Sequence, residues 1–208
     1  MRRILVVCAH PDDESLGCGG GLLLHAAAGD VVDVVFLTSG ERGGHGLSLE
    51  ETKRVREQEA RDACDVLGVR DIDFWHYPDG ALSVEAILVE RLGDELRGRH
   101  PDRVYVTHPG DDHPDHAAAA AAVIQAMRHS GSGAEVMFTE IWTPLSRFSE
   151  VVDISAHLQA KLRAVACHAT QCAVMDFQAA VRSLNRYRGE MHLWPGGPYA
   201  EVYSRWSP

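Results

Sequence analysis

Positive charge is scarce in this chain. Its 208 residues carry 20 Lys and Arg against 30 Asp and Glu, a formal net charge of −10. That balance argues against wrapping nucleic acid, which needs clustered cations, and against docking on anionic membranes. No C-x-x-C occurs, and the five cysteines (Cys8, Cys18, Cys64, Cys167 and Cys172) are odd in number. Neither a disulfide framework nor a thiolate zinc site is indicated; reduced thiols in the cytoplasm are the expectation. No apolar run approaches the roughly 20 residues of a membrane span. Ile4 to Ala9 is too short for a secretory core, and His10-Pro11-Asp12 ends it. Internal repeats are missing. So is a full dinucleotide fingerprint: Gly17-Cys18-Gly19-Gly20-Gly21 is followed by Leu22 where a third glycine belongs. The second strand ends without an acidic residue for a ribose. Those glycines are expected to let a helix pack tightly against a sheet instead.

What remains is a strand–helix alternation. Ile4 to Val7 is a continuous apolar run, the pattern of a strand covered on both faces. A helix is expected to about Ala28, with Asp13 and Ser15 as candidate caps and Gly29-Asp30 as its end. Val31 to Leu37 reads as a second strand, and Gly40 to Gly46 as a mobile glycine-rich loop. Thr52 to Leu67 reads as a helix with Val55, Cys64 and Leu67 inward and Gly68 as C-cap. Asp71 to Tyr77 is a third strand, Pro78-Asp79-Gly80 a turn, Val84 to Arg97 a helix and Arg103 to Thr107 a fourth strand. An alanine-rich helix follows, its small side chains suited to close packing. Glu135 to Trp142 resembles a strand, Ser155 to Ala166 a helix capped by Ser155, and Glu201 to Trp206 an edge strand. This order predicts one α/β domain over residues 1–208, a three-layer Rossmann-like fold whose mostly parallel sheet is flanked by helices. Ligand sites in such sheets lie beyond the carboxyl ends of the strands.

Two histidine–carboxylate clusters follow predicted strands. The first is Ala9-His10-Pro11-Asp12-Asp13-Glu14, and the second is His113-Pro114-Asp115-His116. In the first, His10 and Asp13 stand three apart, so a tight turn can aim both at one ion. Asp12 lies between them and faces elsewhere, which suits a general base. In the second, His113 is the expected N-cap and Pro114 the first helical residue. His113 and His116 are again three apart; one can ligate a metal while the other reaches the reacting carbonyl. Either cluster alone is also compatible with a helix N-terminus that favours negative charge. Their coincidence in one α/β domain favours a metal hydrolase.

These paired motifs, A-H-P-D-D-E and H-P-D-H, resemble the PIG-L/LmbE-like family of zinc-dependent N-acetylglucosaminyl deacetylases. The similarity runs from Arg3 to about Met127, and Glu201 in Tyr199-Ala200-Glu201-Val202 resembles a recurring C-terminal segment. The resemblance implies that His10, Asp13 and His116 hold Zn²⁺, though such a shell also accepts Fe²⁺, Co²⁺ or Mn²⁺. It implies Asp12 as base and His113 as oxyanion stabiliser or acid, with Asp115 orienting a histidine. Arg56 matches a substrate-contacting arginine, and Asp79 is a weaker match for a sugar-hydroxyl acceptor. One departure stands out. Some members carry a tyrosine just before H-P-D-H, where this chain has Asp111 and Asp112.

The implied reaction is hydrolysis of an N-acetyl group from an N-acetylglucosaminyl or related amino-sugar conjugate. The alternatives are a zinc amidase for another N-acyl group and a metal-holding sugar-binding module without turnover. The expected partner is a small molecule; a homo-oligomer is left open. Of the remaining histidines, His108 and His76 end strands near the site, and His168 is a candidate for its lining. His192 and Trp194 lie in a loop able to cover a sugar. His25, His45, His100, His129 and His157 read as solvated.

Overall fold

The computed structural model describes residues 1–191 and 194–207. Its elements alternate as the periodicity predicts: β1 (Arg3–Cys8), α1 (Asp13–Ala27), β2 (Val31–Phe36), α2 (Leu49–Leu67), β3 (Asp71–Phe74), α3 (Ala86–Arg99), β4 (Arg103–Thr107) and α4 (Pro114–Ser130). Then come β5 (Glu135–Thr139), β6 (Glu150–Asp153), α5 (Leu158–Cys167), α6 (Ala169–Cys172), α7 (Phe177–Glu190) and β7 (Ala200–Arg205). The seven strands form one sheet in the order β3-β2-β1-β4-β5-β7-β6. β1 to β5 are mutually parallel, while β7 runs antiparallel to both β5 and β6. The chain is an α/β fold with a mostly parallel sheet, as its sequence order requires.

The sheet decides where the clusters meet. β1 has β2 on one side and β4 on the other. The crossovers diverge there, so the carboxyl ends of β1 and β4 open a crevice at the topological switch point. His10 leaves the end of β1, and His116 enters α4 just after β4.

Both faces of the sheet are covered. Leu88, Leu92 and Leu96 of α3, with Ala119, Ala122 and Val123 of α4, pack on one face against Leu5, Val7 and Val104. Cys18 and Leu22 of α1 and Ala60, Ala63 and Leu67 of α2 pack on the other against Ile4, Val6 and Val34. Burial on two sides is why the strands read as unbroken apolar runs. The glycines of α1 serve close approach: a Cβ on Gly20 would sit 2.5 Å from Ile154 Cγ2, and one on Gly21 would sit 2.5 Å from Tyr203 Oη. A side chain at either position would force Ile154 or Tyr203 to shift.

Several local expectations change. The N-cap position of α1 is Asp12, which makes no side-chain cap bond, and Ser15 lies inside the first turn bonded to Glu14. Arg56 and Glu59, both buried, carry the inward face of α2 beside Cys64 and Leu67, whereas Val55 is only partly buried. Helix α2 starts earlier than expected, behind a capping box of Ser48 and Glu51. Ser155 does not cap α5; His157 holds that position, and Ser155 instead bonds Tyr199. Three elements have no counterpart in the sequence reading, the short helix α6 among them, and β7, expected at an edge, lies between β5 and β6. β6 is a four-residue edge strand. Helix α7 hides its period because its inward face includes Asn185 and Arg188, both buried and paired: Asn185 donates to the Ala200 carbonyl and Arg188 to Glu140.

Candidate active site

The site is assembled at the carboxyl edge of the sheet from the segments that follow β1 to β5, with Arg56 of α2 and the α6–α7 segment beside them. His10 Nδ1 lies 3.2 Å from His116 Nε2. Asp13 Oδ1 stands 3.1 Å from the same His116 Nε2, yet this buried oxygen makes no hydrogen bond. The other carboxylate oxygen of Asp13 is occupied by the His10 backbone N–H at 3.0 Å. Two ring nitrogens and one orphaned carboxylate oxygen therefore converge.

Carboxylates behind the rings fix which nitrogen faces inward. His10 Nε2 sits 3.1 Å from both Asp115 Oδ2 and Asp79 Oδ1. His116 Nδ1 sits 3.1 Å from Asp111 Oδ1. A ring that donates outward to a carboxylate turns its lone pair inward. Two inward lone pairs at this distance repel unless a cation or proton lies between them. The electrostatics agree. Burial alone would depress His10, but Asp115, Asp79 and Asp13 outweigh it and raise its pKa to about 9. His116 is likewise lowered by burial and raised further by Asp13 and Asp111, to about 10. The carboxylates gathered around both rings favour positive charge here. The donors fit a divalent metal of the nitrogen-and-oxygen class.

Asp12 projects beside this set into a cavity of about 340 Å³ that also admits His10, His113 and His116. Its backbone φ is 128°, a region costing a non-glycine residue about 1–3 kcal/mol. Two partners hold it there. Arg56 donates to the Pro11 carbonyl and, at 3.1 Å, to Asp12 Oδ2. Glu14 Oε2 accepts the Asp12 N–H at 3.1 Å. Burial raises the Asp12 carboxyl to about 6, with Arg56 acting against it.

His113 caps α4 by accepting the Asp115 N–H at Nδ1. Its ring centroid is 4.6 Å from that of His10 and 4.8 Å from that of His116. Burial, then the neighbouring imidazoles, lowers its pKa. Its ligand atom also groups with those of His10 and His116 within 4.8 Å. Asp115 faces away from the cavity: it accepts the Gly80 and Leu82 N–H groups, tying the turn after β3 to α4.

The structure thus gathers His10, Asp12, Asp13, Arg56, Asp79, His113, Asp115 and His116 around one crevice. Some other histidines move. His168 is not in the cavity lining; it is buried behind the site, where Nε2 bonds Glu14 at 2.7 Å. His45 is exposed to solvent as expected and lies at the cavity lining, whereas His25 is partly buried between Asp30 and Tyr105. His108 packs against the Thr143 carbonyl, while His76 bonds Ser39 at the surface. Trp194 bonds Gly189, and His192 lies outside the described residues. The glycine loop is tethered: Arg56 donates to Gly40, Gln171 to Gly43, and Arg42 N–H to Asp79. Sequence reasoning missed Asp111 as the partner of His116 and Gln171 as a wall of the cavity. The spacing of Asp111 from His113, whose N–H it accepts at 3.0 Å, was a readable turn signal.

The sequence pattern of PIG-L, described as GlcNAc-PI de-N-acetylase, matches residues 5–127. A probable N-acetyl-alpha-D-glucosaminyl L-malate deacetylase 2 of Bacillus cereus is 30% identical over 134 residues, 61% of this chain and 61% of that protein. A 1D-myo-inositol 2-acetamido-2-deoxy-alpha-D-glucopyranoside deacetylase of Saccharopolyspora erythraea is 31% identical, the alignment covering 81% of this chain and 77% of the relative. Among solved structures, N,N'-diacetylchitobiose deacetylase of Pyrococcus horikoshii superposes with a TM-score of 0.88 at 24% identity, covering 99% of this chain and 84% of its own. GalB of Pseudomonas putida, a 4-carboxy-2-hydroxymuconate hydratase, superposes at 0.86 with 24% identity over 100% and 97% of the two chains. At that identity the superpositions establish the fold, and the reaction has to be argued from the site.

Proposed function

The chain belongs to the PIG-L family, and from that premise we propose that it is a metal-dependent deacetylase of amino-sugar conjugates. The observation that carries the reading is the convergence of His10 Nδ1, His116 Nε2 and the unbonded Asp13 Oδ1 beside a cavity that Asp12 enters. Relatives that remove acetyl groups from N-acetylglucosaminyl malate and inositol support the substrate class.

His10, Asp13 and His116 would hold the ion, and Zn²⁺ is our assignment, with Fe²⁺, Co²⁺ or Mn²⁺ as substitutes. Asp13 is preferred to His113 as third ligand because its inward oxygen is buried and otherwise unpaired. When bound, the ion supplies a Lewis acid for the amide carbonyl and a low pKa for water. Asp12 takes the proton from the attacking water. Arg56 holds that carboxylate in place and keeps it charged. His113, its Nδ1 committed to the cap, is left with Nε2 for the substrate. There its Nε2–H donates to the oxyanion, and the proton that Asp12 took from water passes to the departing amine, a poor leaving group until protonated. Asp115 and Asp79 orient His10, and Asp111 orients His116. Asp79 also stands in the cavity wall, within reach of a sugar hydroxyl.

Metal analysis coupled to an acetate-release screen over amino-sugar conjugates tests this reading. A stoichiometric divalent metal and chelator-sensitive acetate release are expected. Release that persists after complete metal removal would overturn it. Among the described residues, no helix is long and apolar enough to cross a membrane; residence in the cytoplasm is part of the proposal, as is a single domain over residues 1–208.

A further inference from the structure

The metal-side cavity has two unlike walls. Arg42, Arg56, Asp79 and Gln171 line one side. Leu16, Ile141, Trp142, Met175 and Phe177 line the other, and the same five residues form the near wall of a second chamber of about 260 Å³. Its far wall is Ala180, Val181 and Leu184 of α7. The polar groups in that chamber are engaged by the protein. Glu140 is paired with Arg188 and accepts the Leu145 N–H, and Asp176 caps α7 through the Ala179 N–H. Trp142 and Met175, which line both spaces, are 52% and 43% exposed, and Val174 on the first cavity is 52% exposed. Large apolar side chains left in solvent around a concave entrance mark a binding surface.

We propose that this side chamber receives an apolar aglycone, an aromatic ring or a short alkyl chain, carried by the amino sugar whose acetamide reacts at the metal ligands. The inference rests on the deacetylase reading and deepens it. An acetyl methyl is about the size of a water, whose share of volume is roughly 30 Å³, so the chamber is far larger than the leaving acyl group needs. Sugar hydroxyls belong against the polar wall, because an apolar surface leaves them unpaired. The group left to fill the chamber is the one attached to the sugar. The size suffices, since an apolar cavity of roughly 150 Å³ takes up benzene.

The test compares acetate release from methyl, phenyl and octyl glycosides of N-acetylglucosamine, in both anomers, with release of octanoate from N-octanoylglucosamine. The phenyl or octyl glycoside should exceed the methyl glycoside in kcat/KM by roughly 10- to 100-fold, mostly through KM. Ala180→Trp, which fills the chamber from the exposed face of α7, and Leu184→Gln should erase that advantage while leaving the methyl glycoside rate unchanged. Equal rates for all glycosides, or an advantage that survives Ala180→Trp, overturns the proposal. Faster turnover of N-octanoylglucosamine than of the acetyl sugars also overturns it, assigning the chamber to the acyl chain. Calorimetric binding of octyl and methyl glucosaminides separates the two readings. Tighter octyl binding that Ala180→Trp abolishes, with no acetate released from any sugar, sustains the chamber and removes the deacetylase.

Discussion

His10 Nδ1 and His116 Nε2 face each other at 3.2 Å although 106 residues separate them in the chain. Each ring is held from behind by carboxylate, and Asp13 Oδ1 stands 3.1 Å from the inward His116 Nε2. The arrangement is stable only with positive charge between the rings, which makes metal content the first quantity to measure.

His116→Ala should abolish stoichiometric metal, read by elemental analysis of purified protein. Asp111→Asn should weaken metal affinity by roughly 10–100-fold, because it loosens the orientation of His116 without removing a ligand. Unchanged metal content in His116→Ala would take that residue out of the ligand set.

Asp12→Asn should keep its metal and lose turnover by roughly 10²- to 10⁴-fold. Asparagine preserves the shape and the Arg56 neighbour but cannot accept a proton from water. A variant that lost its metal while turning over normally per bound ion would contradict the role of Asp12 as base.

Lys161→Met should destabilise the fold by about 3–5 kcal/mol in urea titrations. Lys161 is wholly buried, and its Nζ donates to Glu201 Oε1 at 2.6 Å and to the Leu16 carbonyl at 2.9 Å. Glu201 in turn accepts the Gly20 and Gly21 N–H groups of α1 at 2.8 Å each. Removing the cation leaves a buried carboxylate without its counter-charge, so the double variant Lys161→Met/Glu201→Gln should recover part of the loss. Wild-type stability in the single variant would show that the ion pair does not support the junction of α5 with β7.

Acid should erase the contribution of Asp30. The Arg2 N–H, then His25, holds this carboxyl below its usual range. A depressed carboxylate pKa stabilises the fold above the unfolded value near 4 and loses that stabilisation as pH falls through the folded value. Asp30→Asn should therefore be less stable than the wild type at pH 7, with the gap narrowing as pH drops below about 4. A gap that stays constant across that range in urea titrations would refute the linkage.

Legibility followed burial pattern. β1, β2 and β4 are covered on both faces, so their apolar runs stood out, and helices α2 and α4 are bounded by the readable caps Gly68 and His113. Helix α7 was hidden because Arg188 and Asn185 point inward, donating to Glu140 and to the Ala200 carbonyl, partners no local window contains. His168 was misplaced for a similar reason: its bond to Glu14 spans 154 residues.

Chemistry-bearing residue types at fixed short spacings were determined by the sequence alone. His10 with Asp13, and His113 with His116, lie within single turns, and local backbone geometry suffices to align each pair. Which nitrogen of each ring turns inward, which carboxylate is left without a hydrogen bond, and which apolar side chains share a wall with the reacting centre were decided only in the tertiary structure. Those relations depend on the order of strands across the sheet, and that order brings together segments whose mutual distance is no property of either one.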